Sequence, residues 1–113
     1  MLFHSSIARI YEFHETEKKI YVFMEYCHNG ELFNHINSRG PLSEKKAAKI
    51  FKQILSAMKY LKSQRIFHRD IKCENILFDK NWNVKLVDFG FATKEDEETF
   101  STTFCGSPSY TAP

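Results

Sequence analysis

Two short apolar runs, Ile76-Leu77-Phe78 and Val84-Lys85-Leu86-Val87, are separated by the polar stretch Asp79-Lys80-Asn81-Trp82-Asn83. Aspartate and asparagine favour tight turns, so the two runs are expected to pair as a hairpin. This constrains the chain more than any other feature, because a polar cluster sits at each outer end of the hairpin. His68-Arg69-Asp70-Ile71-Lys72-Cys73-Glu74-Asn75 enters it and Asp88-Phe89-Gly90 leaves it. Pairing brings Asn75 and Asp88 to the same end. Two hard oxygen ligands facing one point suit Mg²⁺ bound to phosphates. Asp70 and Lys72, in the entering loop, could orient a hydroxyl and neutralise a transferring phosphate.

Upstream, Ile7 to Phe13 and Ile20 to Glu25 flank the turn Glu15-Thr16-Glu17-Lys18-Lys19 and are expected to form an antiparallel hairpin. Asn29-Gly30 breaks the second strand. A short helix follows over Glu31 to Ser38, stopped by Gly40-Pro41. Ser43 is the expected N-cap of a long helix with Glu44 in its first turn. Ala47, Ile50, Phe51, Ile54, Leu55, Met58 and Leu61 recur at helical spacing, which predicts one apolar stripe packed in the core. Ile66-Phe67 is another short apolar run. Everything after Gly90 is expected to be loop. It includes the acidic run Glu95-Asp96-Glu97-Glu98, which reads as a solvated face.

Composition narrows the function classes. The 113 residues suffice for one small domain, and 42% hydrophobic with 27% charged residues is a globular balance. A net charge of +2 gives no strong field towards nucleic acid or anionic lipid, so neither is an expected partner. No apolar run approaches the roughly 20 residues that span a bilayer. Cys27, Cys73 and Cys105 are odd in number and widely spaced, as expected of reduced thiols in a cytoplasmic or nuclear protein.

The pattern H-R-D-x-K-x-x-N followed by D-F-G resembles that of the protein kinase family, and the likeness runs along the whole chain. It implies an α+β fold: the end of a small lobe over residues 1–25, a hinge over 26–30, and the start of a large lobe over 31–113. It implies ATP and Mg²⁺ as cofactors. Asp70 and Lys72 would be catalytic, with Asn75 and Asp88 as metal ligands. Lys72 is the residue of the serine/threonine form of the loop, implying a protein substrate with serine or threonine. Met24 would be the gatekeeper, with adenine bound by backbone groups of Glu25 and Cys27. Leu77 would cover the base, and Glu31 would touch ribose or a basic substrate residue.

Cys105-Gly106-Ser107-Pro108-Ser109-Tyr110-Thr111-Ala112-Pro113 is similar to the substrate-docking segment, with Gly106, Ser107 and Pro108 at its centre. Thr103 aligns with the activation-loop phosphosite, ahead of Thr102 and Ser101. Arg69 would pair with the phosphate, installed by an upstream kinase or by autophosphorylation. His4-Ser5-Ser6-Ile7 resembles the H-P-N-I turn, with two substitutions. Ile10, His68 and Phe89 match a regulatory hydrophobic spine, and His68 is expected to be structural rather than a base.

Lys72-Cys73-Glu74-Asn75, Asp88-Phe89-Gly90-Phe91-Ala92 and Thr103-Phe104-Cys105-Gly106-Ser107 look most like testis-specific serine/threonine kinases, near the calcium/calmodulin-dependent group. No G-x-G-x-x-G and no V-A-I-K lysine stands ahead of Met24. The sequence therefore reads as a kinase domain cut at both ends, inactive by itself. One alternative is a naturally truncated, non-catalytic protein acting through partner binding. Another is a small-molecule phosphotransferase, which the docking segment argues against.

Overall fold

The first apolar runs do pair: β1 (Ile10–Glu15) and β2 (Ile20–Met24) are antiparallel, with Phe13 opposite Val22 and Glu15 opposite Ile20. The computed structural model of the chain describes residues 1–94 and 105–110. Thr16 closes the turn, its hydroxyl oxygen accepting the Lys19 N–H at 3.1 Å. The strand begins at Ile10 rather than Ile7 because the preceding backbone is used elsewhere. Leu86 N–H donates to Ser6 O at 2.8 Å, and Ala8 N–H donates to Leu86 O at 2.9 Å. Residues 6–8 thus line the edge of a second hairpin and bury Ile7 there.

Helix α1 (Leu32–Arg39) ends at Gly40, whose φ of 80° lets its N–H turn back to Ile36 O. Helix α2 (Glu44–Ser63) is capped by Ser43, which accepts the Lys46 N–H. The apolar stripe of α2 is divided, which corrects the single core face expected. Ile54, Ala57 and Leu61 are buried, whereas Phe51, Leu55 and Met58 form an exposed ridge beside them. The buried set recurs at i, i+3 and i+7 and the exposed set at i, i+4 and i+7, so the two lie on neighbouring faces, and the hairpin below α2 covers only one.

That second hairpin joins β4 (Ile76–Phe78) to β5 (Val84–Leu86), with Ile76 opposite Leu86 and Phe78 opposite Val84. Asp79 shapes the turn by accepting the N–H groups of Asn81 at 2.8 Å and Asn83 at 2.9 Å. Val84 and Leu86 have no exposed surface and centre a core that includes Ile7, Leu32, Ile54, Leu61 and Phe78. From α2, the Gln53 side chain accepts the Val84 N–H at 3.0 Å, joining helix to hairpin.

One further pairing corrects the expectation of loop after Gly90. Thr93–Lys94 (β6) pairs antiparallel with Ile66–Phe67 (β3). Two residues carry little sequence periodicity, so only the long-range partner reveals such a strand. The described end of the chain adds a 3₁₀ turn at Pro108–Tyr110. The acidic run 95–98 lies outside the described residues.

Candidate active site

The loop between β3 and β4 holds its polar groups by internal bonds. His68 is buried, and its Nε2 donates to Val87 O at 2.9 Å while Nδ1 accepts the Asp70 N–H at 3.3 Å. Both ring nitrogens are engaged, so His68 fastens the loop to the strand leading to Asp88. Its ring also packs on Phe89 at 4.7 Å between centroids, while Ile10 remains 38% exposed on the first hairpin. Arg69 and Asp88, with φ of 64° and 60°, occupy the left-handed region that non-glycine residues seldom adopt.

These constraints bring the Asp70 side chain to the centre of a cluster. The Ser107 hydroxyl donates to Asp70 Oδ1 at 2.7 Å, and Lys72 Nζ lies 3.0 Å from Oδ2. Lys72 Nζ also donates to Ser107 Oγ at 2.8 Å. Asn75 Nδ2 donates to Asp70 Oδ2 at 3.1 Å and to Asp70 O at 2.9 Å. Both Asn75 bonds go to acceptors, which settles which way the amide points and turns its oxygen away from Asp70.

The Ser107 bond, with Lys72 and Asn75, holds the Asp70 carboxyl below its ordinary value of 3.8 although burial opposes this. Hydrogen bonding to Asp70 raises the Lys72 ammonium above 10.5, and Asp88 is one of the nearby charges acting in the same sense. Asp88 itself is exposed, one oxygen accepting the Gly90 N–H at 3.2 Å. Its chain neighbour Val87 donates its N–H to Asn75 O at 3.1 Å. The Asn75 and Asp88 ends of the hairpin therefore meet, as the pairing of the two runs predicted.

Ser107 shows a role that sequence reasoning missed. Ser107 lies in the segment expected to dock substrate, and its hydroxyl also sits between Asp70 and Lys72, a contact across 37 residues with no local signal. Gly106 makes the approach possible. Its φ is 100°, and a Cβ there would meet Arg69 O at 2.5 Å. Gly106→Ala should cost about 1–3 kcal/mol in stability by urea unfolding. It should also move the Asp70 pKa up towards 3.8 in an NMR titration, because Ser107 is pushed away. An unchanged Asp70 titration would show that Ser107 does not set it. Pro108 is exposed, and the neighbouring Cys73 thiol raises the Tyr110 phenol above its ordinary value.

The expected adenine-contacting residues lie along the link between hairpins. Met24 ends β2, 38% exposed. Glu25 donates its N–H to Arg9 O at 2.7 Å, and its carboxylate pairs with Lys85 at 2.8 Å. Cys27 is buried, and burial, followed by the Glu25 charge, raises its thiol pKa. Asn29 N–H donates to Phe78 O, and Phe78 N–H donates to Gly30 O, which brings the link against β4. Glu31 forms a bridge with Leu77. Arg69 Nε donates to Phe91 O at 2.6 Å. Thr103, with Thr102 and Ser101, lies outside the described residues, as do 111–113 of the expected docking segment.

No group of three or more His, Cys, Asp or Glu that could hold a metal ion occurs among the described residues. The donor set of Asn75 and Asp88 still fits Mg²⁺, which takes one or two protein oxygens and completes its shell with phosphates and water.

A family model described as protein kinase domain matches residues 1–113. Serine/threonine-protein kinase SIK2 of Gallus gallus is 47% identical over all of this chain, which covers 14% of that protein. Serine/threonine protein kinase OSK3 of Oryza sativa subsp. indica is 46% identical, again over the whole chain and 22% of the relative. The serine/threonine-protein kinase SIK3 homolog of Danio rerio is 44% identical over the whole chain and 10% of its own length. The chain thus spans less than a quarter of the length of these relatives.

Proposed function

The chain belongs to the protein kinase domain family, and from that premise we propose that it supplies the phosphate-handling centre of an enzyme transferring the γ-phosphoryl group of ATP to serine or threonine of a protein. One observation carries this reading: the Asp70 carboxylate is held by Ser107, Lys72 and Asn75 beside the strand end bearing Asp88. Asp70, kept ionised, accepts the hydrogen bond of the incoming hydroxyl and aims its oxygen. Its lowered pKa suits orientation more than strong proton abstraction. Lys72 places a fixed positive charge where the γ-phosphate gains negative charge. Mg²⁺, held by Asn75 and Asp88, would supply charge neutralisation on the phosphates when bound.

The same reading divides the chain into the end of a small lobe (1–25), a hinge (26–30) and the start of a large lobe (31–113). Backbone groups of Glu25 and Cys27 take adenine between Met24 and Leu77, and Glu31 serves ribose or a basic substrate residue. Gly106 to Pro108 seat the substrate chain. Phosphate on Thr103, from an upstream kinase or from the enzyme itself, orders its loop through Arg69. The branch is that of testis-specific serine/threonine kinases near the calcium/calmodulin-dependent group, supported by the strings around Asn75 and Asp88. Three free cysteines support a cytoplasmic or nuclear location, with neither nucleic acid nor membrane as partner.

The test is a chimaera in which residues 1–113 replace the matching segment of an active serine/threonine kinase. It should phosphorylate a serine peptide, whereas residues 1–113 by themselves, which hold no G-x-G-x-x-G and no V-A-I-K lysine, should transfer nothing. A folded, nucleotide-binding chimaera without transfer would sink the proposal. The second reading, a non-catalytic protein acting through partners, draws on the exposed ridge of Phe51, Leu55 and Met58. That outcome of the chimaera would favour it.

A further inference from the structure

A groove of about 530 Å³ opens between the end of α1, the first turns of α2 and the β4–β5 turn. It shares no residue with the Asp70 cluster. Its floor is apolar, lined by Ile50, Phe78 and Trp82. Trp82 is held there at some cost: its φ is 62°, a region bulky side chains avoid, and it remains 45% exposed. Its ring meets His35 at 5.0 Å and Phe78 at 5.7 Å between centroids. His35 is itself fixed by donating from Nε2 to Asn29 O at 2.6 Å.

The rim has one sign of charge. Arg39, Lys46 and Lys49 line it, all exposed, and none has an ion-pair partner among the described residues. No aspartate or glutamate is among the described residues that line the groove. A recessed aromatic floor under a purely cationic rim matches one kind of occupant: an acidic peptide segment that inserts an aromatic or aliphatic side chain. A flat anionic surface such as a membrane meets the rim but leaves the floor unfilled. We infer that this groove is a docking site for an acidic protein segment with an apolar anchor, separate from the catalytic cluster and independent of phosphoryl transfer.

The probe is a fluorescein-labelled peptide of glutamates flanking one phenylalanine, titrated against the full chain and followed by anisotropy. Trp82 is the only tryptophan of the chain, so its emission reports entry into the groove. The expected result is saturable binding with a change in Trp82 emission. Binding should weaken about tenfold when Lys46→Glu and Lys49→Glu are combined, and by a similar factor with glutamine-for-glutamate or alanine-for-phenylalanine peptides. Both lysines are exposed, so circular dichroism should be unchanged. If the double variant loses helix, Arg39→Glu tests the same rim from α1. No saturable binding, equal affinity for the glutamine peptide, or indifference to charge reversal would each overturn the inference. So would binding to phosphatidylserine vesicles with none to the peptide.

Discussion

Asp70→Asn in the chimaera should lower kcat by about a hundred- to ten-thousandfold, with nucleotide affinity nearly unchanged. The substitution keeps the size of the side chain and removes its charge. Ser107, Lys72 and Asn75 all converge on that carboxylate, and the hydroxyl to be phosphorylated needs an anionic acceptor to aim its oxygen. The sign of the pH dependence follows from the depressed pKa. Stabilisation from the ionised carboxylate is complete above its ordinary value of 3.8 and is lost as pH falls through the lower folded value. Lys72 is raised, so its contribution is complete below 10.5 and is lost as pH rises through the higher folded value. Neither group should therefore produce a limb in the rate profile near neutrality. Measured rates within a factor of two of the parent, with intact folding, would remove Asp70 from the chemistry.

Leu86→Ala should destabilise the chain by about 2–5 kcal/mol, a large share of the roughly 5–15 kcal/mol available to a domain. Leu86 has no exposed surface, and its backbone exchanges hydrogen bonds with Ser6 and Ala8. Truncation would leave a cavity that the surrounding α2 and β4 side chains cannot close without moving β5, the strand that leads to Asp88. Phe51→Ala removes more atoms, yet Phe51 is 59% exposed, so the loss there should stay below about 1 kcal/mol. Urea unfolding of the two variants gives the comparison. A larger effect at Phe51 would mean that the ridge, and not the hairpin, centres the core.

The candidate site was legible where chemistry and local pairing coincide. Asn75 and Asp88 flank a hairpin whose turn residues are strong local signals, so the meeting of its two ends followed from register alone. Ser43 as a cap and Gly40 as a stop were equally readable. Ser107 was not, because its position at Asp70 depends on a loop crossing the Arg69 carbonyl at a glycine. The β3–β6 pair was hidden for the same reason, being two residues against two across a long separation. The stripe on α2 misled in a different way. Periodicity says which residues share a helix face, and only the width of the packed hairpin says how much of that face is covered.

The order of side chains along the chain determined the family, the hairpin and the meeting of its Asn75 and Asp88 ends, because these depend on spacings of a few residues. Tertiary structure decided that Ser107 closes on Asp70, that Phe51, Leu55 and Met58 stay outside, and that three cations surround one aromatic groove. Those outcomes come from packing between distant segments, where excluded volume and the direction of each hydrogen bond select among arrangements that local pattern leaves equal.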